Sequence, residues 1–353
     1  MEHFPETGKI QNNFFKARVF PYCGKPRHEV KIGPQFGVDV SVIQLTDGMA
    51  MAITSDPLSL IPTLGLRESA WLSVQLMAND MATTGFKPMY AQFVLNLPVT
   101  LAAEDFEYYW QCIHEYCEQL GVAITGGHTG RFDGLNSTVS GGGTMFTIAP
   151  YEEIITSKGA QPGDIIVLTK ECALLSTAIL ALSFPETVKQ HCGDRIYEMG
   201  CNLFYQTSAV EAGITAGAIA RNNKGITAMH DVTEGGVIGS LYELANASEC
   251  GVDVDESKIP VGEAQEAIGN IFNIDPKYCV GAGSMLITAK PQVVESLITN
   301  LEAKGIKATA IGNVTSPGKG ITIKNGSEQK ILTEAHTDPY WEAFFSAYQK
   351  GWK

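Results

Sequence analysis

The sequence predicts a two-domain protein of the α/β (α+β) class, and three observations carry that prediction. The chain has 353 residues, enough to build two separate cores. Strand-like β-branched runs and apolar stripes of helical period alternate in both halves, which points to helices layered on sheets and away from bundles or sandwiches. The pattern breaks around Ala149-Pro150 and resumes after Pro162-Gly163. The expected division is 1–152 for an N-terminal domain, 153–333 for a C-terminal domain and 334–353 for a tail.

In the first half, residues 38–45 are rich in β-branched side chains and 49–54 form a second strand. Between them Asp47-Gly48 is a hairpin signal. Residues 67–84 read as a helix ended by Gly85 and Pro88, followed by a strand over 89–97. Phe106, Trp110, Ile113, Cys117 and Leu120 are spaced 4, 3, 4 and 3 apart, the apolar stripe of a helix that Gly121 stops. Residues 122–125 and 138–148 are further strands. In the second half, 164–169, 226–230, 284–289 and 307–311 read as strands, and 173–183, 201–221 and 292–303 as helices. Val237, Leu241, Leu244 and Ser248 mark one more helix, ending near Gly251.

Composition narrows the function. Lys and Arg number 25 against 38 for Asp and Glu, a formal net charge of −13. That balance argues against nucleic-acid backbones and anionic membranes as partners. The longest uncharged apolar stretch, 172–184, is too short to span a bilayer. The N-terminus lacks a basic start followed by an apolar block, so no signal peptide is expected. Eight Cys without a C-x-x-C pair favour reduced thiols and a cytoplasmic protein.

Four acidic residues stand where a solvated charge is not the only explanation. Asp39 interrupts the strand 37–43, Asp56 follows the strand 49–54 just before Pro57, and Asp231 follows the strand 226–230. Asp80 lies inside the apolar helix segment Leu76-Met77-Ala78-Asn79-Asp80-Met81-Ala82, where a carboxylate without a cation or donors is strongly disfavoured. Carboxylates at strand ends and on a facing helix can converge on a hard divalent ion that also carries phosphates. The ordinary alternatives are turn or cap residues for Asp39 and Asp56 and a helix N-cap for Asp231. Glycine-rich turns are the second ingredient: Gly126-Gly127-His128-Thr129-Gly130 after a strand, and Asp231-Val232-Thr233-Glu234-Gly235-Gly236 opening a helix. Backbone N–H groups at such places favour anions, although neither segment is a P-loop or a dinucleotide fingerprint. His128 and His230 read either as phosphate donors or acids or as structural imidazoles. The basic stretch Cys23-Gly24-Lys25-Pro26-Arg27-His28 reads as a lid bringing Lys25 to phosphates or as a solvated connector.

These motifs, in this order, resemble the aminoimidazole ribonucleotide (AIR) synthase superfamily, also called PurM-like. The residues concerned are Gly37-x-Asp39, Thr54-x-Asp56, Asn79-Asp80-Met81-Ala82-x-x-Gly85-x-x-Pro88, Gly126-Gly127-His128-Thr129 and Asp231-x-Thr233-x-Gly235-Gly236. The stretch 226–260 looks most like the branch of the hydrogenase maturation factor HypE and AIR synthase-related proteins. The resemblance implies an N-terminal domain that pairs with a second subunit in a barrel-like homodimer, and a larger C-terminal mixed-sheet α/β domain. It implies ATP in the cleft between them, Mg²⁺ held by Asp39, Asp56, Asp80 and Asp231, and catalysis by Asp80, Asp231 and His128. Asn79, Gly126, Gly127, Thr129, Thr233, Gly235, Gly236 and Lys25 are then the cofactor-binding set. The implied activity is phosphoryl transfer to an amide, carbamoyl or carbonyl oxygen of a small molecule or of a partner-borne carbamoyl-like group. Two departures matter: His128 stands where many relatives carry an acid, and the chain ends Gly351-Trp352-Lys353 without the terminal Cys of HypE. The alternatives are a small-molecule kinase resembling thiamine-monophosphate kinase, a low-turnover nucleotide-binding maturation partner, and a selenophosphate-synthetase-like use of Cys23 with Lys25.

Overall fold

A computed structural model describes residues 12–58, 60–133, 140–334 and 337–353. After a short helix α1 (Asn12–Phe14), the first half runs β1 (Val30–Ile32), β2 (Ser41–Gln44), β3 (Met49–Pro57), α2 (Leu66–Ala82), β4 (Tyr90–Pro98), α3 (Ala103–Leu120), β5 (Ala123–Phe132) and β6 (Ser140–Pro150). The second half runs β7 (Ile165–Thr169), α4 (Leu174–Ser183), α5 (Pro185–Asn202), α6 (Val210–Asn223), β8 (Ile226–Asp231), α7 (Gly236–Ala247), β9 (Gly251–Asp255) and α8 (Glu263–Phe272). It closes with β10 (Met285–Ala289), α9 (Pro291–Glu302), β11 (Ala308–Thr315), β12 (Ile321–Asn325), β13 (Glu328–Leu332) and α10 (Pro339–Gln349).

Two sheets form the two halves. The first has order β1-β2-β3-β6-β4-β5, the second β13-β12-β9-β11-β7-β10-β8. In the first sheet β4 and β5 are parallel, joined through α3, and the remaining pairs are antiparallel. Ala52, Phe93, Leu95 and Met145 turn one face of this sheet toward α2 and α3. Small side chains (Ala70, Ser73, Ala78, Ala82) let α2 be buried on nearly every side, because it is also packed by α6 of the second half. One apolar core thus runs from the first sheet through α2 to α6, α9 and the near face of the second sheet. The far face of that sheet is covered by α7, and α4, α5, α8 and α10 form a separate cluster. Within one chain the first sheet is open, with β1 and β5 at its edges. The PurM-like two-domain α/β architecture is present, and neither sheet closes into a barrel among the described residues.

Several expected elements differ. Residues 38–40 leave the strand, because Gly37 passes so close to α7 that a Cβ there would lie 2.5 Å from the Glu243 carbonyl oxygen. Asp39 therefore precedes β2 instead of interrupting it. Asp56 lies within β3, paired with Gly143, and the strand ends only at Pro57. Residues 126–130 are not a turn but the middle of β5; Gly127 and Gly141 have no side chain because one would collide with the carbonyls of Phe93 and Val94. The helix expected over 201–221 is broken into α5 and α6 by a turn at Phe204–Gln206. The expected tail carries α10. The start of the strand expected at 138 lies outside the described residues.

Candidate functional site

The helix-facing side of β3 carries Thr54 and Asp56, and the last turn of α2 presents Asp80 to them. The Thr54 hydroxyl donates to Asp80 Oδ2 at 2.6 Å. Burial, and then the carboxylates of Asp56, Asp231 and Asp39, hold the Asp80 carboxyl well above the usual range. That shift records how close the four acids come although 192 positions separate the first from the last. Asp231 is 1% exposed at the end of β8. One oxygen each from Asp39 and Asp231 and a ring nitrogen of His230 lie within 4.8 Å of one another. All four acids line one cavity of about 760 Å³ between α2, α4, the β8–α7 loop and α10, a size ordinary for a ligand site.

His230 is a fixed internal cation. Its Nδ1 lies 2.7 Å from Asp39 Oδ1 and its Nε2 lies 3.0 Å from Glu243 Oε2. Burial alone would lower its pKa, but the Asp39 and Glu243 carboxylates outweigh that and lift it to about 10. With both nitrogens engaged, His230 has no lone pair for a metal. Ser157 also donates to Asp39 Oδ2 at 3.0 Å, so Asp39 is held rigidly at the junction of the halves. The remaining donors are carboxylate oxygens, the ligand type a hard divalent cation takes.

The other expected residues divide. Thr233 lines the cavity. Gly235 and Gly236 open α7 with positive φ; a Cβ on Gly236 would lie 2.6 Å from the Lys277 carbonyl oxygen, so only glycine fits. The Gly235 N–H donates to Asp338 Oδ2 at 2.8 Å, and Asp338 also accepts from Tyr340 N–H at 2.9 Å. A carboxylate from just before α10 thus sits at the amide expected to meet phosphate. Asn79, expected at the cofactor, accepts from Ala209 N–H at 2.6 Å and donates to the Thr207 carbonyl at 2.9 Å; it ties α2 to the second half. Gly126, Gly127, His128 and Thr129 lie on edge strand β5, and His128 is exposed. His128 pairs with Val94, which is 42% exposed, whereas Asp56, Gly143 and Phe93 share the alternate, helix-facing row. His128 therefore points from the opposite side of the sheet to the acids. Lys25 is exposed on the N-terminal segment. Sequence reasoning missed Glu243, yet it carries the same signal as Asp80: an acid inside the apolar run of a helix. Trp341 and Asp338 carried no such signal.

Among the described residues no helix is long and apolar enough to cross a membrane. The N-terminal domain model of AIR synthase related proteins matches residues 37–148, and the C-terminal domain model matches 161–324. A putative hydrogenase expression/formation protein of Methanocaldococcus jannaschii is 26% identical over 76% of this chain and 76% of its own length. The selenide, water dikinase of Methanococcus maripaludis is 28% identical over 82% and 87%. The carbamoyl dehydratase HypE of Cupriavidus necator is 27% identical over 70% and 68%. Among solved structures, hydrogenase maturation protein HypE in complex with ATP superposes with a TM-score of 0.65 at 19% identity, over 85% of this chain and 89% of that one. AaThiL complexed with AMPPCP and TMP gives 0.67 at 14% identity, over 85% and 90%. Matched by both domain models in order, this chain belongs to the AIR synthase related family.

Proposed function

We propose that the cavity holds a magnesium nucleotide and that the protein is a HypE-like, ATP-dependent enzyme. It activates an amide, carbamoyl or carbonyl oxygen by phosphoryl transfer. The observation that carries this reading is that Asp39, Asp56, Asp80 and Asp231 line one cavity, where burial and then the other three carboxylates raise the Asp80 carboxyl. A divalent ion relieves the repulsion left among the acids, since the internal cation His230 is already shared between Asp39 and Glu243. Asp39, Asp56, Asp80 and Asp231 would hold Mg²⁺, which when bound neutralises charge on the transferring phosphoryl group. Thr54 orients Asp80, and His230 fixes Asp39. The acceptor oxygen attacks the γ-phosphorus as its bond to ADP breaks; for an amide or carbamoyl acceptor the C–O bond then breaks with loss of phosphate while the nitrogen gives up its protons and forms a further bond to carbon.

The open face of the first sheet bears Ile53, Tyr90, Phe146 and Ile148, with Tyr90 stacked on Phe146 at 5.3 Å. It is proposed to pair with a second copy, placing His128 at that interface. Calorimetry with ATP and Mg²⁺ tests the nucleotide reading. Binding is expected for the native protein and at least tenfold weaker for Asp80→Asn; no binding to the native chain, or none lost in the variant, rejects it.

A small-molecule kinase is the second reading, favoured by the likeness to a selenide, water dikinase over 87% of that protein's length. Product analysis separates the two. A stable phosphorylated metabolite supports the kinase, and free phosphate with a dehydrated product supports the first reading.

A further inference from the structure

The cavity lining is of two kinds: the four acids, and Leu72 and Leu76 of α2, Leu175 and Ile179 of α4, and Tyr340 and Trp341 of α10. Leu72, Leu76 and Asp80 follow at four-residue spacing on α2, so along that helix the apolar lining runs away from the acids and forms an apolar end. None of the described residues lining the cavity is Lys, Arg or His. Besides the Tyr340 hydroxyl, the polar side chains of Ser73 and Trp341 stand at the apolar end, and both are already committed. Ser73 Oγ donates to the Ser69 carbonyl at 2.9 Å and is hydrogen-bonded to the Tyr109 hydroxyl at 2.7 Å. The Trp341 indole N–H donates to Glu234 Oε1 at 2.9 Å.

The aromatic wall is held in place. Asp338 pins the start of α10 to the N-terminus of α7, and Phe344 packs against Phe184 with ring centroids 5.4 Å apart. Trp341 itself is bound to Glu234 in the loop that follows Asp231. An anionic group placed here would meet no cation, with the Tyr340 hydroxyl as its donor among these side chains, and would share the cavity with four acids, so its lost hydration is poorly compensated. An uncharged planar group would lose only apolar contact with water and gain aromatic contacts.

Resting on the nucleotide reading above, we propose that this end is the acceptor subsite and that Trp341 and Tyr340 select a neutral, apolar-bodied acceptor over an anionic one. The reacting oxygen of such a molecule points toward the acids while its body lies between α2 and α10. The nucleotide base is assigned elsewhere, because Ser73 and the Trp341 indole are already engaged and only the Tyr340 hydroxyl is left at this end to read a base edge.

Benzamide and benzoate, alike in size and unlike in charge, are the probes. Saturation-transfer NMR titrations would use the full chain with saturating AMP-PCP and Mg²⁺. Benzamide is expected to bind at least tenfold more tightly than benzoate, alongside the nucleotide. Trp341→Ala is expected to weaken benzamide at least tenfold. Leu76→Lys is expected to reverse the preference toward benzoate, which a general loss of structure would not do; a cooperative thermal transition verifies the fold of each variant. Equal binding of the two probes, an unaffected Trp341→Ala, or displacement of benzamide by AMP-PCP with Mg²⁺ overturns the proposal. So does absence of benzamide binding to a chain that still binds the nucleotide. Benzamide bound selectively to a chain that does not bind nucleotide rejects the functional reading and leaves the subsite standing.

Discussion

His230 shows how a single buried charge can be stabilised. Two carboxylates surround its ring, and removing it leaves Asp39 and Glu243 buried side by side. His230→Ala is therefore expected to cost roughly 3–5 kcal/mol at pH 7, read by urea denaturation. The sign with pH follows from the raised value. The imidazolium's contribution is complete below the ordinary His pKa of 6.5 and is lost as pH rises through about 10. The gap between native protein and variant should accordingly narrow between about pH 6.5 and 10. Asp80 runs in the same sense with pH, although there the fold favours the neutral form. Its folded pKa lies above the ordinary value of 3.8, so stability falls as pH rises past that value. Asp80→Asn is expected to leave the ligand-free protein equally or more stable while abolishing stabilisation by Mg²⁺ and ATP, which paired thermal melts would show. An acid inside an apolar helix was readable from the sequence. Its partners were not, because Asp39, Asp56 and Asp231 are brought to it by three different elements.

Among the elements, α6 and α10 mattered most and were least readable. Gly213 and Gly217 let α6 lie directly on the end of α2, where added Cβ atoms would overlap the backbone of Ala82 and Gly85. Gly217→Ala is expected to destabilise by about 1–3 kcal/mol through overpacking, measured as a lower urea midpoint at unchanged slope. Helix α10 depends on Asp338, whose carboxyl burial raises to about 6 against the pull of the Gly235 and Tyr340 N–H groups. A raised acid stabilises most below its unfolded pKa. The Asp338 contribution should therefore decline between about pH 4 and 6, by on the order of 2–3 kcal/mol at most. Asp338→Asn is expected to flatten that part of the pH–stability curve, and an unchanged slope would contradict this account. The glycine stretch 126–130 misled for a physical reason. Glycine serves turns and close strand approach alike, and the choice depends on whether a neighbouring strand is there.

In the whole molecule, one apolar core couples the two halves through α2 while the site lies along the seam between them. A ligand that bridges the seam stabilises both halves at once. At a hundredfold excess over its Kd, Mg²⁺ with ATP is expected to add about 2.7 kcal/mol, a rise of several degrees in unfolding midpoint. EDTA should abolish that rise. The proposed pairing of first sheets predicts that Phe146→Glu converts a dimer into a monomer, which light scattering coupled to size exclusion would report.

Many of the strands and helices, the mixed α/β class and the set of suspicious acids were contained in the chain itself, since each rests on local periodicity, turn chemistry or a charge out of place. The cavity was not. Its aromatic wall, the imidazolium between Asp39 and Glu243, the commitment of Asn79 to a loop and the separation of His128 from the acids all depend on which face of which element meets another. Neighbours distant in sequence set those meetings, and no local pattern records them.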